Sequence, residues 1–225
     1  TGAGHQSTCG VGVELKSMKL EIIPVTPLQQ NCSLLTCEQT RQAVLVDPGG
    51  DAQKLIDRVT ELEVELDKIL LTHGHFDHAG SAAELADYWG VPVVGPQQED
   101  NFLLESIPEW SANYHLEGRS VTPDRWLSQG NIVEFGEQKL DVYHCPGHTP
   151  GHVVFIHAQE RLAFVGDVLF KGSIGRSDFP RGDHAKLIDS IINKLLPLGD
   201  DIQFVPGHGA MSSFGEERQS NPFIR

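Results

Sequence analysis

The 225 residues carry 17 basic and 31 acidic side chains for a net charge of −14, with 39% hydrophobic and 21% charged residues, the balance of an ordinary globular chain long enough for a substantial core. The acidity argues against a general nucleic-acid surface, which needs a basic footprint, and against docking on anionic lipid. The longest apolar runs, such as 69–71 and 153–156, are far too short to cross a bilayer.

Residues 1–17, TGAGHQSTCGVGVELKS, are small, polar and aperiodic, and lack the basic and apolar regions of a signal peptide. They read as a disordered or vector-derived leader that takes His5 and Cys9 with it, leaving residues 18–225 as a single domain. Strands are expected at 18–25, 31–39 and 42–50, the last stopped by Pro48-Gly49-Gly50. Leu55, Ile56, Val59 and Leu62 recur at helical spacing over 51–62, with Asp51 as the expected N-cap. A strand at 67–73, a loop, a helix at 81–90 capped by Ser81 and ended by Gly90, and a short strand at 91–95 follow. Residues 96–131 are irregular and read as helical turns and loops around Trp110, Tyr114 and Trp126. Strands resume at 131–135, 139–144, 152–157 and 161–166, then a helix over 184–198 leads to a final strand at 201–207. Two halves, each a sheet backed by helices, predict an α/β four-layer αβ/βα sandwich. Cys32, Cys37 and Cys145 show neither CxxC nor zinc-finger spacing, and read as small buried thiols in a reducing cytoplasm.

The densest chemistry is THGHFDH at 72–78. His73 and His75 are two apart and leave the same face of extended backbone, and Asp77 and His78 follow where the chain turns toward a helix. Three further segments end a strand with a His or Asp in a glycine-bearing turn: His148 in HCPGHTPGH, Asp167 in FVGDVLF and His208 in FVPGHG. Seven candidates exceed the needs of one tetrahedral zinc with three protein ligands and a water. Two divalent ions use them all, with His73, His75 and His148 on one, Asp77, His78 and His208 on the other, and Asp167 bridging. Paired ions of that kind lower the pKa of a shared water and clamp an attacked carbonyl oxygen, which makes the site hydrolytic. Asp77 would also orient the attacking oxygen. Zinc heads the list of metals, with iron and manganese as alternatives.

LVDPGG, LLTHGHFDHAG, HCPGHTPGHVVF, GDVLFKGSIGRSDFPRGD and VPGHG together strongly resemble the metallo-β-lactamase superfamily over about residues 18–223. Within it, the chain is most similar to glyoxalase II (hydroxyacylglutathione hydrolase) and its short bacterial relatives. The resemblance implies the αβ/βα sandwich of that fold and a cytoplasmic hydrolase of methylglyoxal detoxification. Its substrate would be a small thioester, with S-lactoylglutathione split to lactate and glutathione. A thiol leaving group has a pKa of roughly 8–9 and needs no strong general acid. Glyoxalase II carries an extra C-terminal helical region that grips glutathione, whereas His208 here is followed by only 17 residues, so that region is expected to be missing or minimal. Lys171 and Arg176, with Arg181, put positive charge near the metal loop and are the candidate substrate contacts. The same ligands embed the two-His-one-carboxylate set of a mononuclear iron persulfide dioxygenase, the rival reading; a lactonase, a lactamase and a metal-buffering protein are weaker ones. Asp47 either supports a ligand histidine or shapes its turn, and His152 is expected to make a supporting hydrogen bond.

Overall fold

The computed structural model describes residues 18–224; the expected leader, with His5 and Cys9, lies outside them. Strands β1 (Met18–Val25), β2 (Gln30–Cys37) and β3 (Gln42–Val46) lead through helix α1 (Ala52–Glu61) to β4 (Glu65–Leu70). The short helix α2 (Phe76–Ala79), α3 (Ala82–Trp89) and strand β5 (Val93–Val94) follow. The five strands form one sheet in the order β1-β2-β3-β4-β5, antiparallel through β3 and parallel from β3 to β5. Helices α4 (Asn101–Glu105) and α5 (Ile107–Asn113) lie in the segment expected to hold helical turns and loops.

The second half runs β6 (Ile132–Phe135), β7 (Gln138–His144), β8 (Val153–His157) and β9 (Leu162–Gly166). The small hairpin β10 (Leu169–Phe170) and β11 (Ser173–Ile174) precedes helix α6 (His184–Asp189). Helix α6 continues through a π-helical stretch, Ser190–Leu195, into a 3-10 turn, Leu196–Leu198, so the helix expected over 184–198 is continuous but not uniform. Strand β12 (Gln203–Pro206), the two-residue β13 (Ser212–Ser213) and helix α7 (Phe214–Ser220) follow. The second sheet has the order β13-β12-β9-β8-β7-β6, with β12 parallel to β9.

Three separate apolar clusters make the four layers. Leu34, Leu45 and Ile69 face Leu55, Ile56 and Val59 of α1 and Leu85 of α3. Leu35, Val44 and Leu70 on the opposite face meet Phe135, Phe155, Phe164 and Val205 of the second sheet. Val154, Ile156 and Phe204 then pack under Leu187 and Ile191, with Phe214 of α7. Alternation explains this sorting: Phe155 and Ile156 are consecutive, so they leave β8 on opposite faces and enter different cores. Truncating a fully buried phenylalanine such as Phe155 to alanine costs on the order of 3–5 kcal/mol, so the join between the sheets is a main source of stability. Among the described residues, no helix is long and apolar enough to cross a membrane.

Two expected caps differ. Asp51 sits in the left-handed region (φ 52°, ψ 45°) and its side chain does not cap α1. Its Oδ2 instead accepts the Thr26 N–H at 2.7 Å, tying the start of the helix to the β1–β2 turn. Ser81 likewise makes no side-chain cap to α3. The residues after His208 fold as β13 and α7, and Ser213 caps α7 by accepting the Glu216 N–H at 3.1 Å.

Candidate metal centre

Every candidate ligand stands where a strand of the double sheet ends. His73 and His75 follow β4, Asp77 and His78 ride on α2, His148 lies between β7 and β8, Asp167 follows β9, and His208 follows β12. Asn31 of β2 fixes the last of these turns across the sheets, its side-chain amide donating to the carbonyls of Pro206 (3.0 Å) and Gly209 (2.9 Å). Cys32, Cys37 and Cys145 are free and buried, and burial pushes the Cys145 thiol up to about 12, so it is not a nucleophile.

The structure brings six of the seven side chains into two adjacent triads. In the first, His75 Nδ1 lies 3.1 Å from His73 Nε2 and 3.0 Å from His148 Nε2. In the second, His208 Nε2 is 3.1 Å from Asp77 Oδ2, with His78 Nε2 3.9 Å from the same oxygen. Asp167 stands between them, Oδ1 at 3.3 Å from His78 Nε2 and Oδ2 at 3.6 Å from His148 Nε2 and 3.9 Å from His208 Nε2.

Hydrogen bonds on the far sides of the rings decide which nitrogens are free. His148 Nδ1–H donates to the Arg176 carbonyl at 2.7 Å, and His208 Nδ1–H to the Leu28 carbonyl at 3.2 Å. His78 Nδ1–H donates to Asp47 Oδ2 at 2.8 Å. Thr72 Oγ1 gives its proton to Asp47 Oδ2 (2.6 Å) and therefore accepts from His73 Nδ1–H (3.0 Å). Four Nε2 lone pairs thus point inward. In the first triad the Nε2 lone pairs of His73 and His148 both converge on His75 Nδ1 at about 3 Å, and one Nδ1–H could satisfy only one of them, whereas a cation between the three nitrogens would satisfy all. His78 Nε2 and Asp167 Oδ1 are buried 3.3 Å apart with no other partner, and with the His78 ring proton on Nδ1 neither has a proton to give, so a bound cation would satisfy both. On both counts the donor set fits divalent metal ions, with nitrogen dominant in the first triad and mixed with oxygen in the second.

The electrostatics divide along the same line. Burial drives the imidazoles of His73, His75 and His148 below the ordinary range, His75 to about 3, so these rings are neutral donors. Burial acts the same way on His78 and His208, but the carboxylates of Asp167 and Asp77 outweigh it and raise both. In return, these imidazoles hold Asp77 and Asp167 below the usual carboxylate range despite burial. Asp47, His73 and His78 also cluster, but Asp47 is committed to Thr72 and His78 by hydrogen bonds and acts as their brace.

The other sequence candidates sort as follows. His152 stacks on His73 with centroids 4.6 Å apart, and its Nε2 accepts the Asp167 N–H at 3.1 Å. His144 donates to the Pro150 carbonyl at 2.8 Å. Lys171 pairs with Glu216 of α7 at 3.4 Å. Arg176 pairs with Asp178, and its guanidinium lies 4.6 Å from the ring centroid of Phe179, which itself packs on His75. Of the two, Arg176 therefore reaches the rim of the centre. A cleft lined by His75, Phe76, Trp110, Tyr114, Phe179 and Pro180 opens beside the first triad, so α4 and α5 wall the approach. Asp100 and Thr149, which carry the loops of the first triad, were not singled out in the sequence.

The sequence matches the metallo-beta-lactamase superfamily over residues 25–208. This chain belongs to that superfamily. It is 49% identical over 209 residues to the hydroxyacylglutathione hydrolase GloC of Haemophilus influenzae, spanning 92% of this chain and 98% of that one. A probable metallo-hydrolase of Bacillus subtilis, YqgX, is 35% identical over 92% of this chain and 98% of its own length. Among solved structures, TTHA1623 in a di-iron-bound form superposes with a TM-score of 0.82 at 35% identity, covering 90% of this chain and 99% of that one. ETHE1 from Myxococcus xanthus reaches a TM-score of 0.76 at 25% identity, covering 91% and 83%. The chain is thus a metallo-hydrolase of the metallo-β-lactamase superfamily, and its four-layer sandwich is that superfamily's fold.

Proposed function

We propose that residues 18–225 act as one catalytic unit, a metal-dependent hydrolase of S-acylglutathione-type thioesters such as S-lactoylglutathione. One observation carries the reading: two triads of inward-facing donors share the carboxylate of Asp167. His73, His75 and His148 would hold one divalent ion and Asp77, His78 and His208 a second. When bound, such ions supply Lewis acidity that acidifies a water and polarises a carbonyl oxygen. The protein's own contribution is positional. Asp47, Thr72 and the Arg176 and Leu28 carbonyls take the outer ring protons of His78, His73, His148 and His208, so these four imidazoles present a lone pair inward without reorganisation. Asp77 accepts a hydrogen bond from the attacking water and sets its direction toward the thioester carbon.

The cleft beside His75 receives the acyl or thiol arm, with Trp110 and Tyr114 on one wall and Phe179 on the other. Arg176 at its rim meets a glutathione carboxylate, and Lys171 is the outer cationic contact. The departing thiolate is stable near neutral pH, so no protein acid is required at that step. Zinc suits the first triad best, with iron or manganese admitted by the same ligands. The single-iron dioxygenase reading would leave His78 and His208 without a chemical task, although both are braced and aimed inward. The nearness to hydroxyacylglutathione hydrolase GloC also favours thioester hydrolysis, in the cytoplasm where glutathione is plentiful.

The test pairs metal content with two rates on the purified chain: anaerobic hydrolysis of S-lactoylglutathione, and oxygen uptake with glutathione persulfide. Two ions per chain and thioester turnover are expected. His78→Ala and His208→Ala should each lose about one ion and at least a hundredfold in kcat/KM. Full activity in both variants, or one iron per chain with oxygen uptake alone, would overturn the proposal.

A further inference from the structure

The turn Gln98–Asp100, between β5 and α4, lies directly behind the first triad and puts a carboxylate where the chain holds no water-facing surface: Asp100 is 0% exposed. Its Oδ2 accepts the Gly74 N–H at 2.9 Å and the Thr149 hydroxyl at 2.7 Å, and its Oδ1 accepts the Gly151 N–H at 2.6 Å. Gly74 separates His73 from His75, and Thr149 follows His148. One side chain therefore ties both loops that bring the first triad together. The backbones are closely fitted there. A Cβ on Gly74 would come within 2.9 Å of the Asp100 carbonyl oxygen, and one on Gly151 within 2.4 Å of the Gln97 carbonyl oxygen. The Gln97 N–H completes the joint by donating to the Gly151 carbonyl at 3.0 Å.

All three partners of Asp100 are uncharged donors. A buried carboxylate without a cation is costly, and it persists where its lone pairs are needed by donors that have no other acceptor. Two oxygens serve three donors with none facing another donor. An asparagine amide would have to aim its NH2 at one of the same N–H or O–H groups, so the site calls for aspartate.

We infer that Asp100 is a positioning residue that sets the spacing of the loops bearing His73, His75 and His148, and so tunes the affinity of the ion they hold. The inference rests on the two-ion reading. It also assigns a task to the segment between the sheets, which sequence patterning leaves blank. Because Asp100 touches none of the second triad, its effect is selective. A residue that merely stabilised the fold would weaken both ions alike or neither.

Stepwise Zn²⁺ binding to the full chain, measured by competition with a chromophoric chelator, tests this directly. Asp100→Ala should weaken one of the two ions by about 10–100-fold, the range for lost partners of ligand side chains, and leave the other within about twofold. Thr149→Val removes one donor and should shift the same ion in the same direction by less, whereas Thr149→Ser retains the hydroxyl and should bind as the parent does. Unchanged affinities in a folded Asp100→Ala, or equal loss at both ions, would overturn the inference. If Asp100→Ala fails to fold, the two Thr149 variants decide, and identical binding by both overturns it. Failure of the two-ion reading itself is seen separately, as fewer than two Zn²⁺ bound by the unaltered chain.

Discussion

Asp100 also makes a prediction about pH. Burial lifts its carboxyl from 3.8 to about 6, against the pull of Thr149, Gly151 and Gly74. Between those two values the folded chain holds a proton that the unfolded chain has released. Stability therefore falls as pH rises through that window and levels off above it. The two-unit shift sets a ceiling of about 3 kcal/mol on the change. Asp100→Asn has no proton to exchange there. In the presence of a chelator, urea unfolding should show wild type losing up to that amount relative to Asp100→Asn between pH 4 and pH 7. A difference that stays constant across the range would refute the shift. The same residue shows where sequence reading stops. His148, Asp167 and His208 were legible because an imidazole or carboxylate in a glycine-bearing turn after an apolar strand has few other uses. Asp100 sits in QQED beside the exposed Glu99, and nothing in that tetrapeptide distinguishes a buried brace from a surface acid. Asp47 was visible in LVDPGG, but only its contact with His78 separates bracing from turn-making.

At the scale of elements, the long strands and α1 were legible because their burial follows periods of two and 3.6 residues. Strands β10, β11 and β13 have two residues each, too few to carry a period. Helix α7 was missed for another reason: FGEERQS is polar, and it is held chiefly by Phe214 and by a buried acid. Its signal was the Ser213-x-x-Glu216 spacing of a capped helix start. That acid, Glu217, is 1% exposed and accepts from the Ser212 hydroxyl (2.5 Å), the Gly172 N–H (2.8 Å) and the Asn221 amide (2.8 Å). It joins α7 to the β10–β11 turn, a few residues before Arg176, whose carbonyl orients His148. Glu217→Ala would take away the acceptor of the Gly172 N–H and of one Asn221 N–H, while the Ser212 hydroxyl keeps Glu216 at 3.2 Å, with a cost of about 2 kcal/mol. Glu217→Gln, which keeps the shape and one acceptor, should cost less. Chemical denaturation measures both, and a loss under about 1 kcal/mol for Glu217→Ala would show that α7 is held by its apolar contacts alone.

For the whole molecule, the proposed ligand set bridges the two sheets. His73, His75, Asp77 and His78 come from the first half of the chain, and His148, Asp167 and His208 from the second. Each proposed ion takes donors from both halves, so each acts as a clamp across the mouth of the inter-sheet core. Ions that bind only the folded chain stabilise it by mass action, by about 4 kcal/mol for each site held at a thousand times its dissociation constant. Near the melting point of a domain of this size, 1 kcal/mol corresponds to roughly 2–4 °C. Removing both ions should therefore lower Tm by on the order of 10–30 °C, and restoring Zn²⁺ should recover it. The loss should come in two steps as chelator strength increases, because one triad is three nitrogens and the other includes a carboxylate. Calorimetry across a chelator series reads both features. A Tm that does not move on complete metal removal would mean that the ions do not join the halves, and that the core formed by Leu35, Leu70, Phe155 and Phe164 holds the sheets together unaided.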